Sequence, residues 1–224
     1  MSANIEAYQT IKKELGTKQI TLVAVSKTKS ISAILELYNL GQRDFGENYV
    51  QELVEKEAQL PKDIRWHYIG HLQSNKVKLI APFVQLIHGV DSLKLLKEIN
   101  KQAEKAGRII DCLLQVYIAQ EETKFGLDEE ELNFTISQFR NLNMTSTRIV
   151  GLMGMASFTN DINIVRSEFQ KLKKLFDHHD KLIMHQSQLI TLSMGMSSDY
   201  KVAINEGSTM VRIGSLLFGE RTKK

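Results

Sequence analysis

Short apolar runs alternate with amphipathic stretches along almost the whole chain. Each run with strand spacing is followed by a polar or glycine-containing loop and then by apolar residues at helical spacing. The strand candidates are 20–25, 43–45, 66–69, 86–90, a run within 109–118, 148–153, 189–193 and 209–213. The helix candidates are 3–15, 32–40, 50–58, 73–80, 92–106, 128–139, 162–178 and 199–206.

This alternation of strands and helices predicts an α/β fold with a parallel sheet, because each helix returns the chain to the same edge of the sheet. About eight such units favour a (β/α)8 (TIM) barrel over a doubly wound open sheet, which stays open as the alternative. No linker rich in proline, glycine or serine divides the chain, so we expect one domain over residues 1–224.

Composition and charge narrow the class of protein. The charged fraction of 25% and the net charge of +3 are typical of a globular surface and do not indicate a nucleic-acid partner. No apolar run approaches the roughly 20 residues that span a bilayer, and the N-terminus lacks a secretory apolar core. The single cysteine, Cys112, is expected to be a small buried residue. We expect a cytoplasmic protein without a membrane partner.

A candidate nucleophile lies at the end of the first strand. In a barrel the active site lies at the C-terminal ends of the strands. Val23, Val25 and Lys27 have strand spacing and point to one side. A lysine on this apolar rim loses solvation, which lowers its pKa and frees the amine to attack a carbonyl. The alternative is a lysine that extends its ammonium into water.

The loops after the seventh and eighth strands carry a candidate anion site. Ser193, Ser197 and Ser198 surround Gly195 before a predicted helix, although such serines also serve as ordinary helix caps. Gly214 and Ser215 directly follow the eighth strand, at a position where barrels commonly bind phosphate.

Two further polar residues are placed inside the predicted barrel. Arg212 shares its side of the strand with Gly214, which places it near the rim, where a structural salt bridge is the alternative role. His67 is either a core histidine or a cavity group. His178, His179 and His185 lack metal-binding spacing, so we expect a solvated helix end and no metal site. Together, the amine of Lys27 and the candidate anion site in the loops after the seventh and eighth strands predict a phosphorylated aldehyde as the ligand.

The chain resembles the pyridoxal phosphate homeostasis protein family, which is related to the N-terminal domain of alanine racemases. The resemblance runs from the first strand to the last. It is carried by the segments VAVSKTKS, FGENYVQE, WHYIGHLQSNK, IHGVDS, KFGL, GLM, LSMGMSSD and GSTMVRIGSLLFGER. This chain departs from the family at His71, where a proline is common, and in GLMGMASF, where an isoleucine–proline pair often follows GLM.

The resemblance implies a (β/α)8 barrel that holds pyridoxal 5′-phosphate (PLP) as an internal aldimine, a Schiff base on the amine of Lys27. It implies a pyridine nitrogen faced by Arg212 and a ring close to Asn48. The implied phosphate contacts are Ser193, Ser197, Gly214 and Ser215.

These assignments favour a PLP carrier or homeostasis protein without robust catalysis. Arginine can only donate a hydrogen bond, so a ring nitrogen that faces Arg212 is unprotonated and stabilises carbanions poorly. The length also leaves no second domain to supply the second base of a racemase. A weak PLP-dependent amino-acid racemase, a Schiff-base lyase and a regulatory module stay open as alternatives. PLP-dependent apoenzymes or amino acids are the candidate recipients, and we expect a monomer.

Overall fold

Eight parallel strands close into a barrel in a computed structural model that describes residues 2–119, 125–180 and 189–220. The strands pair in chain order, and the last pairs with the first. They are β1 (Thr21–Val25), β2 (Asp44–Glu47), β3 (Arg65–Tyr68), β4 (Leu86–Val90), β5 (Ile110–Gln115), β6 (Thr147–Met153), β7 (Thr191–Ser193) and β8 (Met210–Ile213). The predicted (β/α)8 barrel is therefore confirmed, and the open sheet is excluded.

Helices follow the strands in the predicted order. They are α1 (Ile5–Gly16), α2 (Ile31–Asn39), α3 (Val50–Gln59), α4 (Val77–Ile80), α5 (Leu93–Lys105), α6 (Glu129–Asn141), α7 (Ile162–Asp180), α8 (Tyr200–Asn205) and α9 (Ser215–Phe218). The helix expected at 73–80 is instead a 3₁₀ turn, Ser74–Lys76, followed by the single turn of α4. None of the helices in the described ranges is long and apolar enough to cross a membrane.

Helix caps explain two helix starts. The side chain of Asn4 accepts a hydrogen bond from the Ala7 amide, so α1 begins after Asn4 rather than at residue 3. Asp128 and Glu131 form a reciprocal capping box at the start of α6.

Two apolar layers fill the molecule. The larger lies between the strands and the surrounding helices, and the smaller lies inside the barrel. The inner layer consists of Val23, Leu86, Leu113, Met153 and Met210. Val23 and Met210 confirm which sides of β1 and β8 face inward, so Lys27 and Arg212 continue inward-facing rows at the C-terminal end of the barrel.

The histidines at the end of α7 differ in environment. His178 is exposed, but His179 is only 1% exposed, so the expectation of a solvated helix end is wrong for His179. The last turn of the long helix α7 turns that residue toward the protein, which the spacing of histidines alone does not indicate. His185, together with Lys124 and Arg221 from the quoted segments, lies outside the described residues.

Candidate functional site

A cavity of about 550 Å³ opens at the C-terminal ends of the strands. Of the predicted site residues, it brings together Lys27, Asn48, Ser197, Arg212, Gly214 and Ser215. The other lining residues are Val25, Lys29, Ile69, Met155, Phe158, Met196, Ser198, Leu216 and Gly219. An amine, a guanidinium, a glycine and hydroxyl groups therefore share one apolar pocket.

Lys27 lies in a turn immediately after β1. A cluster of charged side chains, Lys56 with Glu47 and Glu52, holds this turn in place. The Lys56 ammonium donates to the Ser26 carbonyl, to Glu47 Oε1 and to Glu52 Oε1, each at 2.7 Å. Both neighbours of Lys27 are thereby held, because the Ser26 hydroxyl donates to Glu47 and the Thr28 amide donates to Glu52, each at 2.6 Å.

Both the cluster and the turn contain a residue in an unfavourable state: a buried carboxyl and a left-handed backbone conformation. Burial raises the pKa of Glu47 to about 7, although the charge and hydrogen bond of Lys56 act in the opposite direction. Thr28 has a φ of 62°, in the left-handed region that residues other than glycine seldom adopt. The turn that presents Lys27 is therefore determined by its surroundings as much as by its own sequence.

Arg212 lies at the floor of the cavity with its side chain held in place. Its Nη1 donates to the carbonyl oxygen of Ser193 at 2.8 Å and to the Ser193 hydroxyl at 2.6 Å. Its Nη2 donates to the Gly154 carbonyl at 3.1 Å. Burial lowers the pKa of Arg212 to about 10, opposed by the charge of Asp199, so the guanidinium stays protonated at neutral pH. Within the described residues these hydrogen bonds, and not a salt bridge, hold Arg212.

The loops after β7 and β8 meet beside Arg212. The Gly214 amide donates to the Ser197 hydroxyl at 3.2 Å, which joins the two loops. Helix α8 has Asp199 as its N-cap, so Ser197 and Ser198 are not its cap residues. The amides of the first turn of a helix lack partners within the helix, and α9 begins directly after Gly214. This arrangement is suited to an anionic group.

Asn48 presents a hydrogen-bond acceptor, its side-chain oxygen, on the cavity wall. Its Oδ1 is buried and has no hydrogen-bond partner among the described residues. Burying such an acceptor unpaired costs about 1–3 kcal/mol, which a donor on a bound ligand would offset. A ligand with a hydrogen-bond donor near the Asn48 oxygen therefore fits the cavity.

Ser193 lies beneath the cavity rather than on its wall. It is fully buried, and its hydroxyl contacts Arg212 and, at 3.2 Å, His88 Nδ1. Its direct contact with phosphate stays a prediction. His67 is a core histidine, bonded to Asp44 and His88, and does not line the cavity.

The sequence analysis missed His88 and the Lys56 cluster. His88 shares its side of β4 with the inward-facing Leu86, which could have placed it inside the barrel. Glu52 and Lys56 have the i,i+4 spacing of a helical ion pair, which could have indicated part of the cluster.

Comparisons with known proteins cover almost the whole chain. The family model for the N-terminal domain of alanine racemase matches residues 2–222. The pyridoxal phosphate homeostasis protein of Aquifex aeolicus (strain VF5) is 42% identical over 92% of this chain and 89% of that protein. The protein of the same name from Homo sapiens is 41% identical over 93% of this chain and 79% of that protein.

Solved structures share the barrel. PipY of Synechococcus elongatus PCC7942 with PLP bound has a TM-score of 0.85 at 34% identity, covering 96% of this chain and 99% of that chain. Alanine racemase from Streptomyces coelicolor A3(2) has a TM-score of 0.76 at 13% identity, covering 96% of this chain and 57% of that chain. The second likeness is one of fold alone.

Proposed function

This chain belongs to the family of the alanine racemase N-terminal domain, and from that premise we propose that it is a PLP-binding homeostasis protein that stores or delivers the cofactor. The relatives named pyridoxal phosphate homeostasis protein and the PLP-bound PipY support this proposal. The observation that carries it is the cavity itself, in which an amine, a buried guanidinium and an anion-binding pair of loops converge.

The residues of the cavity fit PLP. We propose that Lys27 holds it covalently, that Arg212 donates to its ring nitrogen and that Asn48 lies near the ring. The phosphate then lies against Ser197, Gly214 and Ser215. When bound, the cofactor supplies an aldehyde that condenses with a neutral amine and releases one water, and a ring that withdraws electrons.

The cavity is better suited to holding the cofactor than to turnover. Among the described residues of its wall, the titratable side chains are Lys27, Lys29 and Arg212. Lys29 donates to the carbonyls of Phe218, Gly219 and Glu220, so its ammonium is held by three backbone acceptors. With Lys27 bound to the cofactor, the described wall supplies no second base of the kind that racemisation needs. The permanent charge of Arg212 also disfavours a protonated ring nitrogen.

Borohydride reduction tests the covalent site. We expect the PLP-saturated protein to show the absorbance band of PLP bound to a lysine amine. Borohydride reduction should then leave the PLP label on the peptide that contains Lys27. Lys27→Ala should lose the band and the label, while the matched variant Lys29→Ala should keep both. A label on any other lysine in the saturated wild-type protein would refute the assignment.

A second experiment tests carriage against catalysis. We expect PLP-loaded protein to transfer its cofactor to a PLP-dependent apoenzyme and to leave single-enantiomer amino acids unracemised over many equivalents. Sustained racemisation or lyase turnover that disappears in Lys27→Ala would favour the enzyme instead. We also propose that the protein acts as a monomer, which light scattering with and without PLP checks.

A further inference from the structure

A row of hydrogen bonds crosses the barrel interior from the floor of the cavity to the opposite end. The Ser193 hydroxyl contacts Arg212 Nη1 at 2.6 Å and His88 Nδ1 at 3.2 Å. His88 Nε2 lies 2.9 Å from His67 Nδ1. His67 Nε2 lies 3.0 Å from Asp44 Oδ1. Five strands thus contribute one side chain each to a continuous polar row.

The row lies where apolar packing would otherwise be expected. His67 and Arg212 are 3% and 4% exposed, and His88 and Ser193 are 0% exposed. Burying polar side chains costs free energy unless every one of them is hydrogen-bonded, and the neighbouring inner layer of the barrel is apolar. The two imidazoles are therefore satisfied only as members of this row.

The two ends of the row determine where its protons lie. Arg212 can only donate, and an ionised Asp44 can only accept. Burial would raise the pKa of Asp44, but hydrogen bonds from Arg65 and His67 outweigh it and hold that pKa well below its usual range. His67 must then carry its proton on Nε2 and accept at Nδ1. His88 must likewise carry its proton on Nε2 and accept from the Ser193 hydroxyl at Nδ1.

Both imidazoles are neutral in this arrangement. Burial lowers the pKa of His88 well below its ordinary value, and the charge of Arg212 acts in the same direction. The Ser193 hydroxyl then donates toward His88 and presents its lone pairs to Arg212. A proton added to the histidine pair would reverse this hydrogen bond and place a second cation close to the guanidinium.

We propose that His67 and His88 are positioning residues for Arg212, and that protonation of this histidine pair weakens ligand binding at the mouth of the barrel. The proposal rests on the proposed function and adds a proton-dependent control of cofactor release. Acidification would release the ligand by disturbing its ring contact through Ser193, with no titration of the ligand-binding residues themselves.

Several other charged side chains lie near His67 and His88. Asp44 and Arg212 face it from β2 and β8, and Arg65 of β3 neutralises Asp44 through two hydrogen bonds. Lys12 of α1 also interacts with the charge of Asp44. On the neighbouring strands β5 and β6, Asp111 and Arg148 neutralise each other at 2.6 Å. A proton on the pair is opposed by the charge of Arg212, which couples the pair to the ligand site.

The first test is the tautomer of each histidine, measured by ¹⁵N-histidine NMR on the full protein at pH 8. We expect His67 and His88 both to carry the proton on Nε2. The same spectra, recorded on stepwise acidification, give the pH at which the pair gains one further proton. An Nδ1–H tautomer for either residue at pH 8 would overturn the proposed polarity of the row.

The second test is binding of pyridoxine 5′-phosphate, which has no aldehyde and therefore cannot react with Lys27. We expect wild-type affinity to fall between pH 8 and pH 5.5 by about tenfold more than that of His67→Gln. The exposed His178→Gln should behave like wild type, and affinity for inorganic phosphate should not differ among the three. An equal pH dependence in wild type and His67→Gln would refute the coupling.

If His67→Gln fails to fold, the wild-type protein alone still tests the proposal, through the effect of bound ligand on protonation of the histidine pair. Because coupling is reciprocal, a tenfold weaker binding to the protonated form requires saturating ligand to lower the midpoint of the histidine pair by about one pH unit. An unchanged midpoint would overturn the proposal. Absence of PLP binding by the wild-type protein at pH 8 would instead refute the proposed function itself.

Discussion

Lys56→Met should destabilise the turn that carries Lys27, and it should do so more strongly at pH 8 than at pH 5. The substitution keeps most of the length of the side chain but removes the ammonium that joins Glu47, Glu52 and the Ser26 carbonyl. The Glu47 side chain is 0% exposed, so its carboxylate would lose its cation with no access to water.

The magnitude follows from the state of Glu47. At pH 8 the loss of Lys56 should lower the free energy of unfolding by about 2–3 kcal/mol, because keeping Glu47 protonated in the folded variant from pH 7 to pH 8 adds about 1.4 kcal/mol to the loss of hydrogen bonds. The pKa of Glu47, about 7 in the intact cluster, rises further once Lys56 is gone, so the carboxyl is neutral at pH 5. The remaining loss of hydrogen bonds should then cost about 1–2 kcal/mol.

Glu47 makes the stability of the protein depend on pH. A carboxyl whose pKa is higher in the folded than in the unfolded protein contributes stability at low pH, which is lost as the pH rises. For wild type this loss runs from about pH 4.5 to about pH 7. In Lys56→Met it should continue to higher pH, because the pKa of Glu47 is raised further.

Urea unfolding measures this effect through the fluorescence of Trp66, the single tryptophan, which is 2% exposed. Relative to wild type, the midpoint of Lys56→Met should fall by about 1 M at pH 8 and by less at pH 5. Adding Glu47→Gln should restore part of the loss at pH 8. Equal losses at the two pH values, or no rescue, would refute the reasoning.

Further predictions concern the cavity and the core. Gly214→Ala should weaken PLP binding about tenfold, because its Cβ would lie only 3.3 Å from Val25 Cβ and would push the loop after β8 out of position. Gly16→Ala, whose Cβ would meet nothing within 4 Å, is the control, and equal affinities would contradict the placement. Arg212→Gln should change the protonation of the bound ring, read from an absorbance titration, more than it changes affinity for inorganic phosphate; the reverse order would contradict its role. Cys112 is fully buried and burial raises the pKa of its thiol, so a thiol-specific disulfide reagent should label it only after unfolding, and rapid native labelling would contradict this burial.

The order of the elements and much of the cavity could be predicted from the sequence. Strand and helix periodicities are local properties of the chain, so the alternation along 224 residues was enough to predict a barrel. Side chains also alternate along each strand, which placed Lys27, Arg212 and Gly214 on inward-facing rows without knowledge of their neighbours.

The partners across the barrel could not be predicted in this way. His88 lies 21 residues from His67 and 105 residues from Ser193 in sequence, and Lys56 bonds the Ser26 carbonyl from 30 residues away. Whether Ser193 touches phosphate or supports Arg212 depends on how far one strand is shifted along the next. That stagger is set by closure of the whole barrel. The sequence alone therefore determined which residues face inward, and the tertiary structure decided at which depth they lie and which residues they contact.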